Sequence, residues 1–222
     1  MAMTLGAGEP PAGPWSVVPI CTLLALVLDR GPAPTGRPRI VAVDGRAGSG
    51  KSTLAARLCR AIPNAAVVHT DDFIGHSFFD WTDLLVEAVL RPLRAGCAVH
   101  YRPPDGDDYG QRRLIALAVG LDLVVVEGVG SSRTALGPWI DRSAWVQADV
   151  EEAVRRGIAR DGGPEVAGAL WGAWMVEEEA FLAQDRPWER ASLIVAGSPS
   201  QPYDRDTEVL VAPALLARSY SG

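Results

Sequence analysis

The run Gly45-Arg46-Ala47-Gly48-Ser49-Gly50-Lys51-Ser52 meets the spacing Gly-x-x-x-x-Gly-Lys-Ser in full, and Thr53 follows it. Glycines in this pattern let successive backbone N–H groups turn inward around a β-phosphate, and a helix opening near Lys51 adds the positive end of its dipole. Lys51 supplies a point charge on the β- and γ-phosphates, and the Ser52 hydroxyl a ligand for Mg²⁺. The pattern predicts a nucleoside triphosphate site with its metal, ATP and Mg²⁺ being the expected pair.

Carboxylates stand at two other informative places. Asp71 and Asp72 follow the apolar run Ala65-Ala66-Val67-Val68, and one of them could accept the proton of an attacking hydroxyl. Asp also favours turns and helix caps, and chemistry alone does not separate the two. Glu127 closes the apolar run Leu123 to Val126. An unpaired buried carboxylate is costly, so Glu127 requires a partner such as Mg²⁺, Lys51 or a substrate hydroxyl. Arg155, Arg156 and Arg160 fall on one predicted helix, the last two a turn apart, where guanidinium groups could clamp a transferring phosphoryl group. Tyr101, Arg102 and Asp105 lie in a polar loop of the kind that carries substrate contacts. His69, His76 and His100 have no metal-ligand spacing, and Trp171, Trp174 and Phe181 read as core.

These groups need elements to hold them. Ile40-Val41-Ala42-Val43 suits a buried parallel strand, and Ser52 to Ile62, with Leu54, Leu58 and Ile62 at helical spacing, gives the helix that a phosphate loop requires. The strand 65–68 delivers Asp71 and Asp72 at its carboxyl end, where open parallel sheets bind ligands. A helix from Trp81 to about Leu90 is expected to stop at Pro92. A third strand spans 121–126 and a fourth 143–146. Helices follow over 151–160 and about 168–182, before a last strand at 193–195. Pro19 to Leu28 reads as a helix, and residues 1–14, rich in Gly and Pro, as a flexible tail before a single domain over 15–222. Alternating strands and helices predict an α/β fold, a parallel sheet with helices on both faces.

Composition narrows the partners. A formal charge of -6 argues against a broad basic face for nucleic acid or anionic lipid. The apolar stretch from Val17 to Leu28 is broken by Pro19 and is shorter than the ~20 residues that span a bilayer. A cytoplasmic protein is expected, acting on a small-molecule hydroxyl acceptor, with a homodimer left open. Cys21, Cys59 and Cys97 have no paired short spacing and are expected as reduced core thiols.

Taken in order, the motifs resemble the uridine kinase and nicotinamide riboside kinase branch of the P-loop small-molecule kinases. Val41-Ala42-Val43-Asp44-Gly45 leading into Gly48-Ser49-Gly50-Lys51-Ser52-Thr53 is similar to that family's opening, and Asp71-Asp72-Phe73 to the end of its second strand. The resemblance implies Asp71 as base, Glu127 near metal and substrate, and Asp80, in Phe79-Asp80-Trp81, on a ribose hydroxyl. It also implies a three-layer P-loop NTPase fold and an arginine-bearing lid at about 156–168, with Arg156 and Arg160 neutralising developing charge. Tyr101-Arg102-Pro103-Pro104 stands where many relatives carry Tyr-Asp. The expected activity is therefore ATP-dependent phosphorylation of a nucleoside or related ribosyl compound. A phosphotransferase for a non-nucleoside alcohol and a non-catalytic ATP-binding module are the alternatives.

Overall fold

The computed structural model describes residues 3–28, 34–75, 77–102 and 114–214. The central parallel strands are β2 (Arg39–Gly45), β3 (Ala65–His69), β6 (Leu123–Glu127), β7 (Arg142–Gln147) and β8 (Leu193–Ala196). Two further strands, β1 (Ser16–Pro19) and β9 (Glu208–Pro213), extend one edge antiparallel, so the sheet runs β1-β9-β8-β7-β2-β6-β3. β4 (Val99–Tyr101) and β5 (Ile115–Leu117) form a separate antiparallel pair.

Strand β2 lies between β6 and β7, and the chain leaves it first toward one edge and later toward the other. The carboxyl end of β2 is thus the topological switch point, where open parallel sheets place their ligand crevice. Both faces of the strands are apolar because both are covered. Val41 and Val43 face α1 (Ile20–Leu28) and α2 (Lys51–Arg60), through residues such as Leu23, Leu54 and Leu58. Ile40, Val124 and Val126 face the opposite layer, packing with Trp81, Leu85 and Leu90. Trp145 and Ile194 meet Leu182 of α6 (Pro164–Asp185) and Trp188 of α7 (Pro187–Arg190). Burying each such side chain stabilises the fold by about 1.5–3 kcal/mol. The outcome is the expected three-layer α/β architecture.

Several local expectations change. Pro92 does not end its helix. The chain runs from α3 (Thr82–Leu85) through a π-helical turn, Val86–Leu90, into α4 (Arg91–Arg94), with Pro92 in the first turn of that last segment. The wider turn shifts the hydrogen bonds so that the missing Pro N–H is not needed. Pro19 belongs to β1, and α1 starts one residue later. Cys21 and Cys97 are exposed and Cys59 half-buried, so only Cys59 approaches the core, where burial pushes its thiol up to about 11.

Residues 3–14, expected as a flexible tail, make hydrogen bonds to the domain. Thr4 N donates to Asp149 Oδ2 at 2.8 Å, Ala7 N to Glu179 Oε1 at 3.0 Å, and Ala12 N to Gln147 Oε1 at 2.8 Å. Glu9 is buried and accepts hydrogen bonds from Trp145 Nε1 at 2.7 Å and Gln147 Nε2 at 3.0 Å. Gly and Pro abolish helix and strand here, but the backbone donors find side-chain acceptors instead.

Candidate functional site

Strand β2 delivers Gly45, and α2 opens at Lys51, so the phosphate loop bridges a strand end and a helix start. Gly50 caps the helix at φ 103°, a left-handed conformation that glycine adopts without a Cβ penalty. A side chain at Gly48 would put its Cβ 2.0 Å from the Ala153 carbonyl oxygen. The loop therefore threads tightly against α5 (Val150–Arg160). Lys51 Nζ donates to the Arg46 carbonyl at 2.8 Å, as does Ser49 N at 3.0 Å, which closes the loop into a nest. The Arg46 side chain turns away from the nest to Glu9, at 3.4 Å, and Glu179, at 2.8 Å.

Glu127, at the end of β6, is buried beside this loop. The Ser52 hydroxyl donates toward Glu127 Oε1 at 3.1 Å, and His69 Nδ1 lies 2.6 Å from the same oxygen. An ionised carboxylate only accepts, so Nδ1 carries the proton. Burial works to raise the Glu127 carboxyl, but the hydrogen bonds from His69 and Ser52 and the charge of Lys51 hold it below the usual carboxylate range. Among the described residues no group of three or more His, Cys, Asp or Glu side chains could hold a metal ion. One hydroxyl beside one carboxylate nevertheless fits Mg²⁺, which takes few protein ligands and completes its shell with water and substrate phosphates. Ser52 and Thr53 are both exposed in the first turn of α2.

The structure separates the two aspartates. Residues 70–73 form a single 3-10 turn after β3, which exposes Asp71 and buries Asp72. Asp71 is reached by solvent yet crowded by protein. That crowding lifts its carboxyl above the usual range, opposed by Lys51 and aided by Glu127, with Arg160 and His69 also opposing. Asp71, Lys51, Glu127 and Arg160 thus share one electrostatic neighbourhood.

Arg156 and Arg160 diverge. Arg160 is exposed, paired with Asp161 at 2.7 Å, and its charge reaches Asp71 and Glu127. Arg156 donates instead to the Gly197 carbonyl at 2.9 Å and the Ser198 hydroxyl at 3.3 Å, in the loop after β8 that packs on the Ser49 carbonyl. It flanks the phosphate loop. Arg155, on the outer side of α5, joins neither. Residues 156–168 are the end of α5, a short turn and the start of α6, pinned where Trp171 Nε1 donates to Asp161 at 2.9 Å.

Asp80 is exposed within electrostatic reach of Arg133. Tyr101 stacks on Phe73 with ring centroids 5.5 Å apart, and its buried hydroxyl has no hydrogen-bond partner among the described residues. Arg102 is exposed, whereas Pro103, Pro104 and Asp105, like His76, lie outside the described residues.

Sequence reasoning passed over three groups. Asp44 is fully buried and accepts from Gly45 N at 2.7 Å, Gly130 N and Ser132 N at 2.9 Å, and the Ser132 hydroxyl at 2.7 Å. It ties the start of the phosphate loop to the turn after Glu127. A charge ending an apolar run was its signal, the same one that marks Glu127. Arg133 lies 3.9 Å above the Trp81 ring and donates to the Phe79 carbonyl at 2.7 Å, and burial brings its guanidinium down to about 10. His69 carried no signal beyond its place at a strand end.

No family model and no curated protein matches the chain. Solved structures do match. A possible uridine kinase from Bacillus stearothermophilus superposes with TM-score 0.55 at 22% identity, over 79% of this chain and 96% of that one. A candidate fructose transport system kinase from Silicibacter sp. TM1040 gives TM-score 0.54 at 20% identity, over 78% and 95%. The fold is that of the P-loop kinases. The YGR205w protein shares it at TM-score 0.51 and 12% identity, over 80% of this chain and 90% of that one. The loop 45–52 and the ends of β3 and β6 lie at the carboxyl edge of the parallel strands, where Lys51, Asp71 and Glu127 share one electrostatic neighbourhood. Among the described residues no helix is long and apolar enough to cross a membrane.

Proposed function

We propose that the chain is an ATP- and Mg²⁺-dependent kinase that transfers the γ-phosphoryl group to a hydroxyl of a small molecule, a nucleoside or related ribosyl compound. The observation that carries this reading is Asp71, an accessible carboxylate with raised proton affinity, in the same electrostatic neighbourhood as Lys51 of the phosphate loop. Nucleotide binding alone has no use for a base there, whereas phosphoryl transfer to an alcohol does. Asp71 takes the hydroxyl proton as the new O–P bond forms and the bond to the bridging oxygen breaks, releasing ADP. Lys51 and the loop amides hold the β- and γ-phosphates, and Arg160 offsets charge developing on the transferred group. Mg²⁺, when bound, neutralises phosphate charge; Ser52 and Glu127 would hold it.

A second reading, transfer to a non-nucleoside alcohol, is favoured by Arg102 standing beside Tyr101 where the resemblance expects an acid. ADP release measured across a panel of nucleosides, sugars and other alcohols tests both. Turnover confined to nucleosides supports the first reading, turnover confined to other alcohols supports the second, and tight ATP binding without acceptor-dependent turnover contradicts both.

A further inference from the structure

We propose that Glu178 is a positioning residue that couples the phosphate loop to the acceptor side of the crevice, a role that rests on the kinase reading above. Glu178 sits on α6 and is 6% exposed. Its Oε1 accepts the Ala47 N–H at 2.7 Å and the Trp174 Nε1–H at 3.2 Å. Ala47 is the third residue of the phosphate loop, so a carboxylate occupies an amide of the loop that is built to receive phosphate. A brace alone would need no charge, because a glutamine accepts the same two hydrogen bonds.

The charge has a direction of effect. Lys51 and Arg46 are the cations that face it, and Glu9 and Glu179 already share Arg46. A triphosphate brought into the loop competes for the Ala47 N–H and repels the buried carboxylate, since like charges interact strongly where water is excluded. Glu178 then releases Ala47, and Trp174 moves with it. The Trp174 ring packs edge-on against Phe78 at 4.9 Å and tilted against Phe79 at 5.4 Å. Those two residues immediately precede Asp80, and Phe79 is itself stacked on Phe181 of α6 at 4.6 Å. Donor occupancy is transmitted through α6 to the segment that carries Asp80. By linkage an acceptor that holds this segment changes donor affinity by the same factor.

Burial raises the Glu178 carboxyl above its ordinary range, with Ala47 N–H, Lys51, Trp174 and Arg46 opposing. Donor affinity therefore weakens as pH rises through the Glu178 titration, and Glu178→Gln removes that dependence. The test measures ATP·Mg²⁺ affinity by calorimetry, and amide exchange over residues 77–81 with and without ATP·Mg²⁺, in the wild type, Glu178→Gln and Trp174→Phe. The wild type is expected to change exchange at 77–81 on ATP binding. Glu178→Gln is expected to bind ATP about tenfold tighter, with a flattened pH profile, and to lose most of the exchange response. Trp174→Phe keeps the ring contacts but not the Nε1–H, and is expected to bind ATP normally while losing the response. ATP binding that leaves 77–81 unchanged in the wild type overturns the coupling and leaves the kinase reading standing. A response of wild-type size in both variants also overturns it. Failure of the wild type to bind ATP overturns the kinase reading itself, and the coupling with it.

Discussion

His69 and Glu127 are register partners across β3 and β6, and His69 Nδ1 lies 2.6 Å from Glu127 Oε1. Parallel pairing of two strands thus places a proton donor on the carboxylate that also takes the Ser52 hydroxyl. On the proposed reading, in which Glu127 helps to hold Mg²⁺, a partner of this kind orients the carboxylate, and losing one typically costs about 10–100-fold in metal affinity. His69→Ala is therefore expected to raise the Mg²⁺ concentration for half-maximal turnover at least about tenfold, with little change at saturating Mg²⁺. A Mg²⁺ titration of the reaction rate checks this.

Asp44→Asn tests the tie between the phosphate loop and the turn after β6. An amide presents a donor to at least one of Gly130 N, Ser132 N or the Ser132 hydroxyl, each of which donates to Asp44 in the wild type. A buried unsatisfied donor costs about 1–3 kcal/mol, so the unfolding free energy from urea melts is expected to fall by that amount, with a lower midpoint and an unchanged slope.

Gly157 packs so closely on Trp171 that an added Cβ would lie 1.9 Å from the ring. Gly157→Ala is expected to destabilise the protein by about 1–3 kcal/mol through forced separation of α5 and α6. The same shift carries Arg160 away from Asp71, so turnover falls more than ATP affinity does. Adding Trp171→Phe, which removes the clashing part of the ring, restores most of the stability in thermal melts.

Asp141 gives a pH dependence. Its carboxylate takes Arg37 through two bonds of 2.8 Å, Arg94 at 2.7 Å and Ile40 N at 2.8 Å, and these hold its pKa below the usual range despite burial. A carboxylate depressed in the folded state contributes stability above its unfolded pKa of about 3.9, and that contribution is lost as pH falls through the folded value. Wild-type stability should therefore drop more steeply below about pH 4 than that of Asp141→Asn, whose curve starts lower and is flatter. Denaturant melts across this range measure the difference.

Much of this was legible in the sequence, for identifiable reasons. The apolar runs Ile40 to Val43 and Leu123 to Val126 mark β2 and β6, which are buried along their length, the shorter runs at 65–68 and 144–146 mark β3 and β7, and the phosphate loop has a spacing that few other structures need. The ends of those strands then locate Asp71 and Glu127. The bare residues leave Asp71 and Asp72 open and the resemblance favours Asp71; the 3-10 turn exposes Asp71 and buries Asp72. What long-range contact decides stayed hidden. Nothing local marks Glu9 as the buried partner of Trp145 and Arg46, or Glu178 as the acceptor for Ala47 N–H. Arg156 and Arg160, one turn apart on one helix, read as a pair; α5 packs at an angle that sends one toward Gly197 and the other toward the Asp71 side. Strand β1 is short and mostly exposed, so its pairing with β9 leaves little apolar signature.

The most direct test of the account is acceptor-dependent ADP release by the wild type and by Asp71→Asn, with ATP affinity measured in parallel. With an acceptor found in the panel, Asp71→Asn is expected to turn over about 10²–10⁴-fold more slowly while binding ATP as the wild type does. Turnover at the wild-type rate in Asp71→Asn would contradict the account.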